Sequence, residues 1–189
     1  MLRSTLPLFA FAFAASAPVV AAEPIALPLF KSIELQAGGE VTIVRGPVQR
    51  VTLVNGSRQF TNFQVRRDGR LEIATSCHMR CPRNYNLQIQ VESPTVPDVA
   101  VEAGGTIRVE PGFAPQRHVS AAVNAGGTID LRALAVVGAS AAVNAGGNIY
   151  VRARDHLNAA VNAGGDIEYV GNPQVTMAVA NGGNVTRSR

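Results

Sequence analysis

The stretch Val143-Asn144-Ala145-Gly146-Gly147-Asn148-Ile149 decides how this chain is read. It recurs as Val123-Asn124-Ala125-Gly126-Gly127-Thr128-Ile129 and as Val161-Asn162-Ala163-Gly164-Gly165-Asp166-Ile167. Before these copies comes Val101-Glu102-Ala103-Gly104-Gly105-Thr106-Ile107, and after them a degraded one, Val179-Ala180-Asn181-Gly182-Gly183-Asn184-Val185. The steps between successive Gly pairs are 22, 20, 18 and 18. An earlier copy, Leu35-Gln36-Ala37-Gly38-Gly39-Glu40-Val41, lies three steps of 22 before Gly104. Self-similarity at a period near 20 is the mark of a solenoid.

Each column of the alignment has a physical reason. Leu or Val stands three residues before the first Gly, and Ile or Val three residues after it, with polar residues between. Alternation puts such side chains on one face of a strand. The Gly pair allows a bend at positive φ and a close approach of neighbouring coils. One repeat cannot bury its own apolar face, whereas copies stacked about 4.8 Å apart can. Asn124, Asn144 and Asn162 share one column, where stacked amides form a ladder. The other reading of that column is a polar binding stripe.

The expected fold is all-β, a single right-handed parallel β-helix with coils of about 18–22 residues. Further strands are expected at Ile33–Ile43, Arg50–Val54, Phe63–Val65, Leu71–Ile73 and Leu87–Val91, with Asp68-Gly69 as a tight turn. The early part lacks the clean repeat, so residues 27–95 are read as longer, irregular coils. Residues 96–189 are read as the regular Gly-Gly stack. No linker divides residues 23–189 into domains.

Residues 1–22 read as a secretory signal: Arg3, an apolar run from Leu6 to Ala15, then small residues ending at Ala22. Pro18 breaks that run short of the roughly 20 apolar residues that span a bilayer. No cysteine lies near the cleavage site, so lipid attachment is not expected, and no later stretch reads as a membrane span. A periplasmic or secreted location follows. The full chain carries a formal charge of +4. Its basic excess lies before residue 96, without aromatic interleaving or a dense cluster, so no specific nucleic-acid partner is expected.

At Phe30-Lys31-Ser32-Ile33, Val41-Thr42-Ile43, Leu71-Glu72-Ile73, Pro97-Asp98-Val99 and the Gly-Gly-Asn/Asp-Ile copies, the chain resembles the head GIN domain family of putative auto-transporter adhesins. The likeness covers about residues 27–185. It implies a right-handed parallel β-helix in the bacterial envelope, and it carries over no functional residue.

Cys77-His78-Met79-Arg80-Cys81 is the one local cluster with chemical possibilities. In an exported protein a Cys77–Cys81 disulfide is expected. A Cys/His metal site would need about four ligands, and only His118 and His156, read as lying in distant repeat loops, remain. Asp130, Asp155, Asp166 and Glu168 are the carboxylates that a polysaccharide lyase or hydrolase would draw on, but they sit in columns that elsewhere carry Thr, Asn, Arg or Tyr. Solvated surface is the simpler reading. No catalytic, metal or cofactor residue is therefore assigned.

The expected function is non-catalytic: an adhesin-like or envelope binding module presenting an Ala/Asn/Thr surface to a glycan or surface protein. The alternative is a carbohydrate-active β-helix enzyme. The last coil also exposes a strand edge that invites end-to-end association, with Arg187 and Arg189 placed to blunt it.

Overall fold

The computed structural model describes residues 22–36, 38–76, 82 and 85–188. The expected signal segment up to residue 21, Cys77 and Cys81 with their expected disulfide, and the terminal Arg189 lie outside these residues. Among the described residues every regular element is a strand. In chain order they are β1 (Glu23–Ile25), β2 (Ser32–Leu35), β3 (Glu40–Arg45), β4 (Arg50–Asn55), β5 (Thr61–Val65), β6 (Arg70–Thr75), β7 (Gln88–Ser93) and β8 (Asp98–Ala103). There follow β9 (Thr106–Val109), β10 (Gln116–Ala125), β11 (Thr128–Ala145), β12 (Asn148–Ala163), β13 (Asp166–Val170), β14 (Gln174–Val179) and β15 (Asn184–Arg187).

These strands stack as a β-solenoid with two parallel ladders. The first ladder runs β6, β2, β8, β10, the later part of β11, the later part of β12, then β14. The second runs β7, β3, β9, the start of β11, the start of β12, β13, then β15. A Gly-Gly turn carries the chain from the first ladder to the second in each repeat. The columns read from the sequence are in register. Ile107, Ile129, Ile149 and Ile167 are consecutive partners in the second ladder, and all four are fully buried. Leu35, Val101, Val123, Val143, Val161 and Val179 are consecutive partners in the first. Burying each such side chain contributes about 1.5–3 kcal/mol against the entropy of ordering its coil.

Coil length changes without disturbing either ladder. Asp130 pairs Tyr150 and Ser140 pairs Asn158, so the coil that joins the ladders is longer in β11 than in β12. The extra chain of β11 is absorbed at the corner, where the register shifts between Asp130 and Gly138. Bulges place such irregularity where the chain turns and leave the packed faces intact.

In the early part the rungs do not follow chain order. The Gly38-Gly39 rung lies directly against the Gly104-Gly105 rung, through β2 on β8 and β3 on β9. Residues 50–93 lie on its other side. There β6 and β7 add one more parallel rung, and β5, β4 and β1 close it with antiparallel pairs. The stretch read as one strand, Ile33 to Ile43, is two, β2 and β3, on different ladders. The reversal of β5 on β6 follows from the tight turn at Asp68-Gly69, where Gly69 has φ of 84° and donates to the Arg66 carbonyl at 3.0 Å. So short a connection joins only antiparallel strands. Ile25, Phe30, Leu53 and Leu87 are buried in or beneath this cap. The Gln49 amide spans the gap beside Phe30, accepting from its N–H (3.0 Å) and donating to its carbonyl (2.8 Å).

Candidate functional site

In the first ladder the residues between the inward positions face out. Ala100, Ala122, Ala142, Ala160 and Ala178 are consecutive partners and form one column of methyl groups. Beside it runs a column of Ser120, Ser140, Asn158 and Thr176. The next residue along each strand is inward, so the flanking polar column on the other side is Glu102, Asn124, Asn144 and Asn162. Short methyls between longer side chains leave a shallow apolar trough of about 600 Å³ along the solenoid axis.

The asparagines form a continuous ladder. Asn162 Nδ2 donates to Asn144 Oδ1 at 2.8 Å, and Asn144 Nδ2 donates to Asn124 Oδ1 at 2.5 Å. Asn124 Nδ2 donates to Glu102 Oε2 at 2.6 Å. Every amide thus points the same way and the row ends on a carboxylate, an order in which each bond polarises the next.

At the capped end the trough meets charge. Glu34 takes the place of an alanine beside Ala100, and Glu72 follows it on the next strand. Both residues are buried, at 7% and 8% exposure. Adjacent carboxylates repel, and two arginines offset this: Arg70 reaches Glu34 at 2.8 Å and Arg66 reaches Glu72 at 2.6 Å. The hydrogen bond from Arg66 holds the Glu72 carboxyl below its ordinary pKa, and the same contact raises Arg66. This cluster was not legible in the sequence, because Glu34 meets Glu72 and Arg70 only through the pairing of β2 with β6.

The Gly pairs divide their labour. The first members, Gly104, Gly126, Gly146, Gly164 and Gly182, have positive φ and open space where a Cβ would project. The second members of the later pairs are packed against the coil before. A Cβ on Gly127 would lie 2.7 Å from Val101 Cγ1, and one on Gly147 would lie 2.6 Å from Val123 Cγ1. Gly165 and Gly183 meet Val143 and Val161 in the same way, and Gly39 meets Leu87. Gly38 has open space and Gly105 has φ of 90°.

The second ladder's outward face is charged. Arg108, Asp130, Tyr150 and Glu168 share a column. Arg132 Nε bonds Asp130 at 2.9 Å, and its guanidinium stacks 4.6 Å from the centre of the Tyr150 ring. Burial opposes ionisation of Asp130, but the hydrogen bonds and charge of Arg132 outweigh it and hold the carboxyl below its ordinary pKa. The rung of Tyr150 separates Asp130 from Glu168. Asp155 is paired with Arg154 at 2.7 Å, and Asp166 accepts from Asn184 at 2.7 Å. Of the four carboxylates considered from the sequence, Asp130, Asp166 and Glu168 thus share the outward side of the second ladder.

His118 and His156 are not in loops. They lie on β10 and β12 in one column, with Gly138 between them, and His118 Nε2 is 3.3 Å from Ser140 Oγ. Among the described residues no group of three or more His, Cys, Asp or Glu is placed to hold a metal.

A comparison with curated proteins finds no match. Among solved structures, a putative adhesin from Bacteroides fragilis is 17% identical, with a TM-score of 0.46, over 88% of this chain and 95% of that one. A putative cell adhesion protein from Clostridium sporogenes is 10% identical, with a TM-score of 0.46, over 89% of this chain and 99% of that one. A putative lipid binding protein from Parabacteroides distasonis is 12% identical, with a TM-score of 0.37, over 89% and 96%. Residues 116–173, the heart of the regular stack, match the model of the family described as putative auto-transporter adhesin, head GIN domain, which is the family that the Gly-Gly copies resemble.

Proposed function

We propose that this protein is an exported, non-catalytic binding module of the cell envelope, and that the outward alanine face of its first ladder is the binding surface. The observation that carries this reading is the repetition of that face. Each rung from Ala122 to Ala178 offers one methyl group flanked by a hydroxyl or amide, and the rungs recur about every 4.8 Å. Such a surface suits an extended polymer whose units repeat, laid along the solenoid axis. The methyl column accepts the less polar faces of its units, and the Ser, Thr and Asn rows hydrogen-bond their hydroxyl groups. A surface glycan has this chemistry. The ion pairs of Asp130 with Arg132 and of Asp155 with Arg154 support binding over a lyase or hydrolase, which needs a free acid and base on one bond. The signal-like first residues support export to the periplasm or beyond.

The test is a glycan and envelope-polymer binding screen on the purified protein, repeated with Ala142→Arg. Ala142 faces out, so the fold should be unchanged while a bulky charge blocks the middle of the trough. At least a tenfold loss of binding is expected. A wild-type protein that binds no glycan, or a variant that binds as well as wild type, would overturn the reading.

A further inference from the structure

The two ends of the solenoid are built differently. At one end antiparallel strands lie over the last parallel rung, β5 on β6, β4 on β7 and β1 on β4. At the other, β14 pairs only β12 and β15 only β13 among the described residues, so each presents a free edge. The interior is open there. Met177 is 55% exposed and Val179 45%, whereas Ala159 and Val161, their partners one rung earlier, are 4% and 0% exposed. Strand β14, Gln174-Val175-Thr176-Met177-Ala178-Val179, has no charge and no proline, and its register with β12 contains no bulge. Soluble proteins ordinarily blunt a free edge by one of those devices. The one charge on β15, Arg187, is bonded to Asn172 Oδ1 at 3.2 Å.

We propose that this open end docks against the same end of a second copy of the chain, across a two-fold axis perpendicular to the solenoid axis. Three observations select a copy as the occupant. Strand β14 is uncharged, so like ends do not repel through it. Its pattern is self-complementary: in an antiparallel pair with Met177 opposite its own counterpart, Val175 faces Val179 and Thr176 faces Ala178. Inward residues then meet inward residues, and outward meet outward, so both interiors close into one core. Head-to-tail stacking lacks this match, because the far end presents the short β1 and the antiparallel β5 instead of an open rung. A β14 strand paired with its own counterpart about a two-fold makes the interface isologous. In this register the alanine column of each copy, ending at Ala178, meets the hydroxyl and amide column of the other, ending at Thr176.

The experiment is sedimentation velocity with light scattering on the purified protein over a wide concentration range. A monomer–dimer equilibrium with no larger species is expected. Met177→Lys, at a side chain already exposed in the monomer, should weaken dimerisation at least tenfold while leaving the melting curve of the monomer unchanged. Under mild oxidation, Met177→Cys should form a covalent dimer and Thr176→Cys should not, since only residue 177 meets itself at the axis. A monomer at every concentration overturns the proposal. So does an open-ended series of oligomers, which means head-to-tail stacking, and so does a dimer that survives Met177→Lys, which means a different surface.

Discussion

Gly165 lies so close over Gly147 that a Cβ on Gly165 would stand 2.7 Å from the Gly147 carbonyl oxygen. That oxygen also accepts from the Asp166 N–H at 2.9 Å, so it has no freedom to withdraw. Gly164, one residue earlier, has φ of 75° and nothing within 4 Å of the same point. The first glycine of a pair supplies a backbone conformation, and the second supplies closeness. Gly164→Ala should therefore cost about 1–2 kcal/mol, the strain of a left-handed alanine. Gly165→Ala should cost roughly 3 kcal/mol or more, since strain and overpacking add. Chemical denaturation of both variants checks the order, and equal costs would contradict it.

Ile149 stands in the middle of the fully buried isoleucine column, between Ile129 and Ile167. Ile149→Asp places a charge where no partner or water reaches it. The expected loss exceeds about 4 kcal/mol, seen as collapse of the β circular-dichroism signal or of soluble yield. A folded variant with wild-type stability would mean that the column does not form the core.

Asn144 holds both of its neighbours in the ladder, Asn124 and Asn162. Asn144→Ala breaks two exposed hydrogen bonds and should cost about 1 kcal/mol, as should Asn124→Ala. The double variant should cost less than the sum, because the two residues share one bond. Strict additivity would show that the amides act independently.

Acid should loosen the capped end first. The Glu72 carboxyl, held by Arg66, ionises below its ordinary value of 4.5 in the folded protein. Folding therefore favours the ionised form. This contribution is complete above pH 4.5 and is lost as pH falls below that value through the folded pKa. Melting temperature should decline over this range, and Glu72→Gln should flatten the decline while lowering stability at neutral pH. A Glu72→Gln profile parallel to wild type would remove Glu72 from the account.

Cys77 and Cys81 should carry no free thiol in protein recovered from an oxidising compartment. Thiol counting under denaturing, non-reducing conditions checks it. Two free thiols would return the Cys77-His78-Met79-Arg80-Cys81 cluster to its metal-binding reading.

The repeat by itself determined that the chain stacks, which residues fill the core, and that the asparagines lie in one row. These properties belong to each rung. The alternation of Val143 and Ile149 about Gly146-Gly147 is local chemistry, and copying it at a fixed period forces like onto like. The trough was legible only in part, as an Ala/Asn/Thr surface, because its closed end depends on Glu34 meeting Glu72 and Arg70. The order of the coils was decided by tertiary structure alone. The stretch between Gly38 and Gly104 reads as three turns, yet the rungs at its two ends are adjacent and residues 50–93 fold back as a cap. The reason is physical. Alternation with period two states which face of a strand is buried, but both edges of a strand carry the same N–H and C=O groups. Which neighbour takes each edge, and in which direction, is settled only when the whole chain competes for them. Among the described residues, the same competition leaves β14 and β15 each with one unpaired edge.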